Sequence, residues 1–599
     1  MCGIVGGISK DRNILPILIT GLKNLEYRGY DSAGVAYLKN NKINIVKTSG
    51  KVNKLKNKLT KSDESNIGIA HTRWATHGKA DSINAHPHKV KHITIVHNGI
   101  IENFEEIKNQ LIKVNYIFKT DTDTEVACAL LNYYYEKFND IDKTIKSFMA
   151  KVIGSYAIVM IIDNDLENIY CLKKESPIII GISDNTNIVS SDIRAIIEYT
   201  NNYYILNDLE YAKISANSII IYDNKGNVLQ KDINVYKDEN ISNSKGHYKH
   251  YMLKEIMEQK ETIYNTVKPY IDNINTLLTL PDLTKYKQID IVGCGTAYHA
   301  GLVGKYLFRE FTNTLCNVYL ASEYRYQNNF LSKDTLTIFI SQSGETADTI
   351  AALKLVKKEN YPTLGIINVK DSTISHLVDT CLYTKAGNEV AVASTKAYTA
   401  QVSLLSLLAL ITGYRSKTIS KKNVLEVIDE FKNISELITP LLNNKDLYLS
   451  ISKNIYKEKD IFYIGRGLDY YLSMEGALKL KEISYIHSES YPSGELKHGT
   501  ISLIEKNTPV FASATNSNLN AKTISNLKEV LARGADVYLI TDDEYNDKSF
   551  TIINIPKGSY FVKSILVIIP YQLIAYYTAL LKGTDIDKPK NLAKSVTVE

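Results

Sequence analysis

The sequence predicts a multi-domain α/β protein, and three observations carry that prediction. Its 599 residues exceed what one hydrophobic core organises, so about two to four domains are expected. Residues 1 to about 240 read as alternating short strands and helices. Further on, Ile289-Asp290-Ile291-Val292-Gly293-Cys294-Gly295 and Ile461-Phe462-Tyr463-Ile464-Gly465-Arg466-Gly467 are each a strand running into Gly-x-Gly before a helix. A second strand, Thr337-Ile338-Phe339-Ile340, recurs as Pro509-Val510-Phe511-Ala512 at the same offset, the 172 residues between Gly293 and Gly465. Two equivalent halves follow, each a doubly wound parallel sheet wrapped in helices.

Composition narrows the class. At 44% hydrophobic and 23% charged residues the chain is ordinary for a soluble globular protein. Its 71 basic and 65 acidic residues leave a net charge of +6 with no clustered basic stripe, which argues against nucleic acid as a partner. Cys2, Cys128, Cys171, Cys294, Cys316 and Cys381 are scattered without a Cys-x-x-Cys pair, so neither a disulfide scaffold nor a thiolate zinc site is suggested, and a reducing, cytoplasmic compartment fits. No signal sequence or lipidation box is evident. The uncharged stretch Ser564 to Leu581 lies at the lower edge of membrane-spanning length, but Pro570 and Gln572 interrupt it. It reads as a strand over Ser564-Ile569, then a buried helix starting at Pro570 and ending at Gly583.

Along the first 240 residues, Gly68 to Gly78 is a strand entering a loop dense in hydrogen-bond donors. Thr94-Ile95-Val96-His97-Asn98-Gly99 is a strand whose final Asn-Gly fits a hairpin turn as well as a functional pair. Thr122-Asp123 opens a helix and fits a simple cap. Six of the 12 histidines fall between His71 and His97, yet without metal-ligand spacing, so packing or hydrogen-bonding roles are favoured over zinc. The polar segment Ile241 to Gly246 marks a domain boundary, and Tyr251 to Gln259 has helical apolar spacing.

Candidate chemistry begins at Cys2. Once Met1 is removed, its thiol and its own α-amine form a nucleophile with a built-in base, because an α-amine titrates at about 7.7 to 8.0 and a thiol at about 8.5. Cys2 equally fits a small buried hydrophobe beginning a strand. Ser341-Gln342-Ser343-Gly344-Glu345-Thr346 lies after a strand and before the helical run Ala347 to Lys357, where hydroxyls, free N-H groups and the helix dipole suit a phosphate. Such residues also cap helices that bind nothing. A Walker pattern is absent and Gly293-Cys294-Gly295 lacks a third glycine, which favours sugar phosphate over nucleotide. Glu475, Lys479 and Glu482 share one face of a helix over Tyr471 to Ile486, read alone as a solvated, salt-bridged stripe. His498 stands in a glycine-flanked loop, and Lys594 near the end of the chain is, by position, ordinarily exposed.

Cys2-Gly3-Ile4-Val5-Gly6 with Leu25 to Gly34 resembles the amino-terminal-nucleophile glutaminase domain of glutamine-dependent amidotransferases. Together with Ser341 to Thr349, Ala393-Ser394-Thr395-Lys396-Ala397, Gly494 to Gly499 and Asn591 to Glu599, the whole chain resembles the family of isomerizing glutamine:fructose-6-phosphate amidotransferases, the glucosamine-6-phosphate synthases. The resemblance implies an αββα glutaminase sandwich over residues 1–240, a linker and helix over 241–283, sugar isomerase (SIS) domains at 284–425 and 455–588, and a tail at 589–599 lying over the sugar site. It implies conversion of D-fructose 6-phosphate and L-glutamine to D-glucosamine 6-phosphate and L-glutamate, the entry step of UDP-N-acetylglucosamine (hexosamine) biosynthesis.

The resemblance also assigns roles. Cys2 attacks the glutamine amide, Asn98 and the Gly99 N-H form the oxyanion hole, and Arg73, Thr76, His77 and Asp123 bind glutamine. Thr296, Ser341, Gln342, Ser343, Thr346, Val392 and Ser394 hold the sugar phosphate. His498 opens the furanose, Lys594 forms the imine, and Glu482 moves the proton between C1 and C2. Trp74, the sole tryptophan, matches the gate of an ammonia channel. No pyridoxal phosphate or metal is required, and a homodimer or larger homo-oligomer is expected, with no nucleic-acid or membrane partner. Two positions depart from the family, Ala297 where Ser is usual and Thr500 where Pro is usual.

Two other readings compete. A glutaminase serving a phosphoribosyl acceptor needs a phosphoribosyltransferase motif, which is not found. A sugar-phosphate sensor could dispense with Cys2, Glu482, His498 and Lys594, and all four are present.

Overall fold

The computed structural model describes residues 2–60, 62–74, 78–236, 245–327, 332–545 and 547–596. The chain divides into two compact units, Met1–Glu239 with Ser595–Glu599, and Asn240–Lys594.

Among the described residues, the first unit contains an eight-stranded and a seven-stranded antiparallel sheet. Gly3–Ser9 runs through the middle of the larger sheet between Thr186–Ser190 and Ile67–Arg73, and Ile93–Ile101 pairs with Gly154–Ile162 in the smaller. The inner faces meet through Ile4, Ile8, Ile67 and Ile69 on one side and Val96, Ala157, Val159 and Ile161 on the other, all at most 3% exposed. Each such Ile or Val side chain contributes about 1.5 to 3 kcal/mol by leaving water. The helix Leu15–Leu25 covers the outer face of the larger sheet, and Asp123–Phe138 with Ile141–Lys151 covers the smaller. This is the expected αββα sandwich. The Asn98-Gly99 pair is not a hairpin turn: the strand continues through it to Ile101, with Asn98 opposite Ala157 and Gly99 opposite Tyr156.

The second unit holds two five-stranded parallel sheets. Their orders, Leu315–Leu320, Gln288–Gly293, Thr335–Ser341, Thr363–Ile367, Thr380–Tyr383 and His487–Pro492, Asp460–Gly465, Pro509–Ala514, Asp536–Thr541, Phe550–Asn554, are the same, so the repeat seen in sequence is a repeat of topology. In each half the first strand in sequence lies beside both the second and the third, and ligands bind at such a switch point, outside the carboxyl ends of the strands. One core spans both halves, threaded by the helices Lys396–Arg415 and Ile568–Lys582.

The strand expected over Ser564-Ile569 is helix instead: Tyr560–Leu566 and Ile568–Lys582 follow one another. A continuous apolar run has the same pattern in a buried strand and in a helix buried all round, so its β-branched residues misled. The sheet is already complete with Phe550–Asn554, and the run packs against the helices Leu468–Ser484 and Lys445–Ile455. Gly583, with φ of +70°, ends it in the left-handed conformation, as expected. Lys396–Arg415 and Tyr560–Lys582 are each long and apolar enough to cross a membrane, yet 94% and 89% of their most apolar windows are buried in this core. The expected boundary segment 241–246 lies outside the described residues over 241–244.

Candidate active sites

In the first unit, the chain enters the central strand directly after Cys2, which places the thiol at the sheet's end beside the end of Ile67–Arg73. The Trp74 N-H donates to the Cys2 sulfur at 3.3 Å, and the thiol in turn reaches the Trp74 carbonyl at 3.5 Å. Burial pushes the thiol pKa up, while the positive amino terminus, the Trp74 N-H and Arg73 pull it back. The Asn98 side-chain N-H donates to the Cys2 carbonyl at 3.1 Å, so the amide faces the backbone of Cys2.

His71, which sequence reasoning did not single out from the other histidines, fixes that amide. Its Nε2 lies 3.0 Å from both Asn98 Oδ1 and the His97 carbonyl. Two acceptors there require Nε2 to carry the proton, and Asn98 must then turn its NH2 towards Cys2. Burial drives the His71 pKa down to about 3, so the ring is neutral and keeps this tautomer. The His86 ring stacks on it at 4.1 Å, His97 Nδ1 meets Thr124 Oγ1 at 2.9 Å, and His88 approaches Thr122 at 3.3 Å. These histidines pack and hydrogen-bond, as the spacing suggested. Among the described residues no group of three or more His, Cys, Asp or Glu is placed to hold a metal ion.

Gly99 has φ of +126°, and a Cβ there would lie 2.1 Å from the Ser155 carbonyl oxygen, so only glycine fits. Arg73 is buried, donates to the Lys79 carbonyl at 3.2 Å and feels the charge of Asp123. Asp123 accepts from the Ile101 N-H at 2.9 Å, while Thr122, not Asp123, caps the helix by accepting from the Glu125 N-H. Thr76 and His77 lie outside the described residues.

In the second unit, Ser341 to Thr346 closes the third strand of the first sheet at its carboxyl end. Ser341 Oγ contacts Thr346 Oγ1 at 3.1 Å and accepts from the Gly344 N-H at 3.0 Å, and Ser343 Oγ accepts from the Glu345 N-H at 3.1 Å. Gly344 has φ of +69° and a Cβ would strike Ser372. Thr346 precedes the helix Ala347–Lys358 but makes no capping bond with its side chain, which removes the simple-cap reading for that residue. Gln342 gives its carbonyl to the Val369 N-H at 3.3 Å.

The Glu475, Lys479 and Glu482 stripe is not solvated. Lys479 and Glu475 have side chains 0% exposed, and Lys479 lies 3.3 Å from Glu475 and 2.5 Å from Glu482. Thr296 bridges the halves, donating to Glu475 at 3.1 Å and accepting from Lys479 at 3.0 Å, and His299 Nδ1 lies 2.7 Å from Glu475. Burial alone would lower Lys479, but Glu475 and Glu482 overcome it and raise its pKa to about 12. Burial raises Glu482 against the pull of Lys479, the direction a carboxyl needs to act as both acid and base. Removing one member of such a buried set costs about 3 to 5 kcal/mol.

Lys594 is not an idle terminal lysine: its side chain is 3% exposed and its Nζ donates to Glu389, whose side chain is 0% exposed. Ser394 donates to the same carboxylate at 2.9 Å, and the Val392 N-H donates to the Asp587 carbonyl at 3.0 Å. The sugar-phosphate candidate Ser394 thus shares the Glu389 carboxylate with Lys594, while Val392 is tied to Asp587. His498 stands differently, exposed on the short turn Glu495–His498, its side chain making no hydrogen bond or ion pair among the described residues. Glu389 escaped sequence reasoning because it has no local motif.

A cysteine thiol heading an αββα sandwich, followed by twin parallel sheets with a hydroxyl-lined loop, defines a class: glutamine amidotransferases that carry paired SIS domains. Comparison with known proteins agrees. Residues 71–198 match the family described as "Glutamine amidotransferase domain", and residues 282–411 and 454–582 match "SIS domain". The chain is 47% identical to glutamine–fructose-6-phosphate aminotransferase [isomerizing] of Caldanaerobacter subterraneus subsp. tengcongensis and 43% identical to that of Clostridium acetobutylicum, covering 100% of both chains in each case. Among solved structures, the C-terminal domain of glucosamine-fructose-6-phosphate aminotransferase from Francisella tularensis is 40% identical with a TM-score of 0.55, covering 58% of this chain and 100% of that one. The chain belongs to the family of isomerizing glutamine–fructose-6-phosphate aminotransferases.

Proposed function

We propose that this chain converts D-fructose 6-phosphate and L-glutamine to D-glucosamine 6-phosphate and L-glutamate, the first step of hexosamine biosynthesis. The observation that carries the reading is the buried Lys594, seated on Glu389 beside Ser394 in a unit that also holds the half-buried Glu482 on the buried Lys479. Cys2 attacks the glutamine amide, its α-amine carries the proton to the leaving ammonia, and water then releases glutamate from the thioester. Asn98, oriented by His71, and the Gly99 N-H stabilise the tetrahedral oxyanion. Arg73 and Asp123, with Thr76 and His77, hold the substrate's charged ends.

Ser341, Gln342, Ser343 and Thr346, with Thr296, Val392 and Ser394, cradle the sugar phosphate at the switch point. His498 opens the ring, Lys594 forms an imine with C2, ammonia displaces the lysine, and Glu482 moves a proton from C1 to C2. Trp74 gates the ammonia path, a role consistent with its main chain bracketing the Cys2 sulfur. The domains are read as 1–240, 284–425 and 455–588, with the linker and helix at 241–283 and a tail at 589–599 over the sugar site, of which 597–599 lie outside the described residues. Asp587 and Lys590, bonded to the Tyr251 N-H and the Tyr485 hydroxyl, support a held tail. The protein is read as a homodimer or larger homo-oligomer that binds neither nucleic acid nor membrane, and as cytoplasmic, the compartment being favoured by six free cysteines.

Incubation with glutamine and fructose 6-phosphate should yield glucosamine 6-phosphate and glutamate in equal amounts. Glutamate without amino sugar would leave only the glutaminase half standing.

A further inference from the structure

Glu389 is the most heavily engaged carboxylate around Lys594. Its Oε1 accepts from the Thr395 N-H at 2.8 Å and the Ala397 N-H at 3.0 Å, at the amino end of the helix Lys396–Arg415. Its Oε2 accepts from Ser394 Oγ at 2.9 Å and from Lys594 Nζ. Four donors and the positive end of a 20-residue helix therefore converge on one buried side chain. Burial alone would raise this carboxyl, but Lys594 and the N-H groups of Ala397 and Thr395 hold it below the ordinary value.

A second carboxyl stands behind it. Glu255, on the helix Tyr251–Met257, accepts from the Val390 N-H at 2.5 Å and the Ala391 N-H at 3.1 Å through Oε1, while its buried Oε2 has no hydrogen-bond partner among the described residues. Burial, with the charge of Glu389, raises Glu255 to about 8, so it is uncharged at neutral pH. The other charged groups around the pair are committed elsewhere: Lys396 to Glu258 at 2.9 Å, Asp587 to the Tyr251 and Met252 N-H groups, and Glu482 to Lys479. At neutral pH, Glu389 is thus the anion in contact with the Lys594 nitrogen.

We propose that Glu389 is the counterion and proton relay of the Lys594 nitrogen while the imine with the ketose forms. This rests on the reading of Lys594 given above. An ammonium cannot attack a carbonyl, so Nζ first gives one proton to the Glu389 carboxylate, leaving a neutral amine and a neutral acid. The nitrogen lone pair then attacks C2, the carbonyl π electrons move onto oxygen, and a proton passes from nitrogen to that oxygen to give a carbinolamine. Glu389 returns its proton to the hydroxyl, which departs as water while the nitrogen lone pair closes the C=N bond. Of the three ammonium hydrogens, two leave in the water and one stays on the iminium. The iminium is again a cation, and it faces the regenerated carboxylate. The nitrogen is a cation at the beginning and end of the step, when Glu389 is an anion, and both groups are neutral in between, so no charge is left unpaired in the buried site.

The test uses the full chain with fructose 6-phosphate and no glutamine, trapping the imine with borohydride and reading the adduct at Lys594 by intact and peptide mass. The wild type should accumulate a sugar adduct at Lys594, and its absence would end the reading of Lys594 itself. Glu389→Gln keeps an oxygen for the Thr395 and Ala397 N-H groups but loses the charge. It should form the adduct about 100-fold more slowly with fructose 6-phosphate binding unchanged, and Glu389→Asp should recover part of the rate. An adduct rate in Glu389→Gln within about threefold of wild type would overturn the proposal. If Glu389→Gln no longer binds the sugar phosphate, Glu255→Gln decides. In the wild type, adduct formation should bend over near pH 8 as Glu255 ionises and places a second anion by the nitrogen, whereas Glu255→Gln should keep rising. Superimposable pH profiles would reject the charge role.

Discussion

Around Cys2, the Met1–Glu239 unit sets main-chain groups and uncharged imidazoles; around Glu482 and Lys594, the Asn240–Lys594 unit sets full charges in opposed pairs. The difference follows the chemistry proposed for each. A thiol that must exchange a proton with its own amine near neutral pH works best where neighbouring charges are few, so His71, His86 and His88 are buried and neutral, the first with a pKa of about 3 and the others well below their usual value. An amine that must become an iminium needs an anion at hand, and a carboxyl that shuttles a proton needs its pKa raised, so charges are buried and balanced instead.

The sharpest way to break this division is Cys2→Ala. It should lower glutamine hydrolysis by at least about 10³-fold while the borohydride-trapped sugar adduct forms as before, since the reactions use separate nucleophiles. Synthesis driven by glutamine at the original rate would refute the assignment of Cys2. A smaller effect is expected from Ser341→Ala, which deprives the Gly344 N-H of its acceptor and Thr346 of its partner. About 1 kcal/mol lost should raise the KM for fructose 6-phosphate roughly fivefold to tenfold and leave glutamine hydrolysis untouched. A KM unchanged in the variant would remove Ser341 from the cradle.

The smallest effect lies in stability, and there the units should part in opposite directions. A histidine whose folded pKa is depressed contributes stability that is present above its unfolded value, near 6.5, and is lost as pH falls towards the folded value. The Met1–Glu239 unit should therefore melt at progressively lower temperature below about pH 6.5. Glu255 has the reverse sign: its folded pKa of about 8 exceeds its unfolded value of 4.5, so its contribution is complete below 4.5 and is lost as pH rises through 8. The Asn240–Lys594 unit should lose several degrees of melting temperature between about pH 5 and pH 8.5, and Glu255→Gln should recover part of them. Calorimetry at the two pH extremes reads both limbs, and a variant that melts with wild type at pH 8.5 would disprove the Glu255 limb.

What could be read from the sequence was whatever is written locally or periodically. The twin sheets were visible because each first strand ends in Gly-x-Gly at a constant offset, and Cys2 stood out as a candidate because it is followed at once by a glycine-rich strand. The strand assigned to Ser564-Ile569 failed because burial on every side erases periodicity. The Asn98-Gly99 pair was ambiguous because the same dipeptide serves a turn and, as here, a strand interior. The solvated reading of Glu475, Lys479 and Glu482 failed because a helix's polar stripe does not say what packs on it; Thr296, from the other half, does. Glu389 and His71 were invisible for a further reason. Each acts through a partner far along the chain, Lys594 at 205 positions and Asn98 at 27, and no spacing rule connects them.

Asp587 deserves one last consequence. Its carboxylate receives the Tyr251 and Met252 N-H groups, so the start and the finish of the Asn240–Lys594 unit are neighbours in space. Excised from the rest, that unit could have its two ends stitched together by a short spacer and be reopened at an exposed loop elsewhere. Such a circular permutant should still assemble both sheets, because the order in which the polypeptide visits them is inherited and not a mechanical requirement.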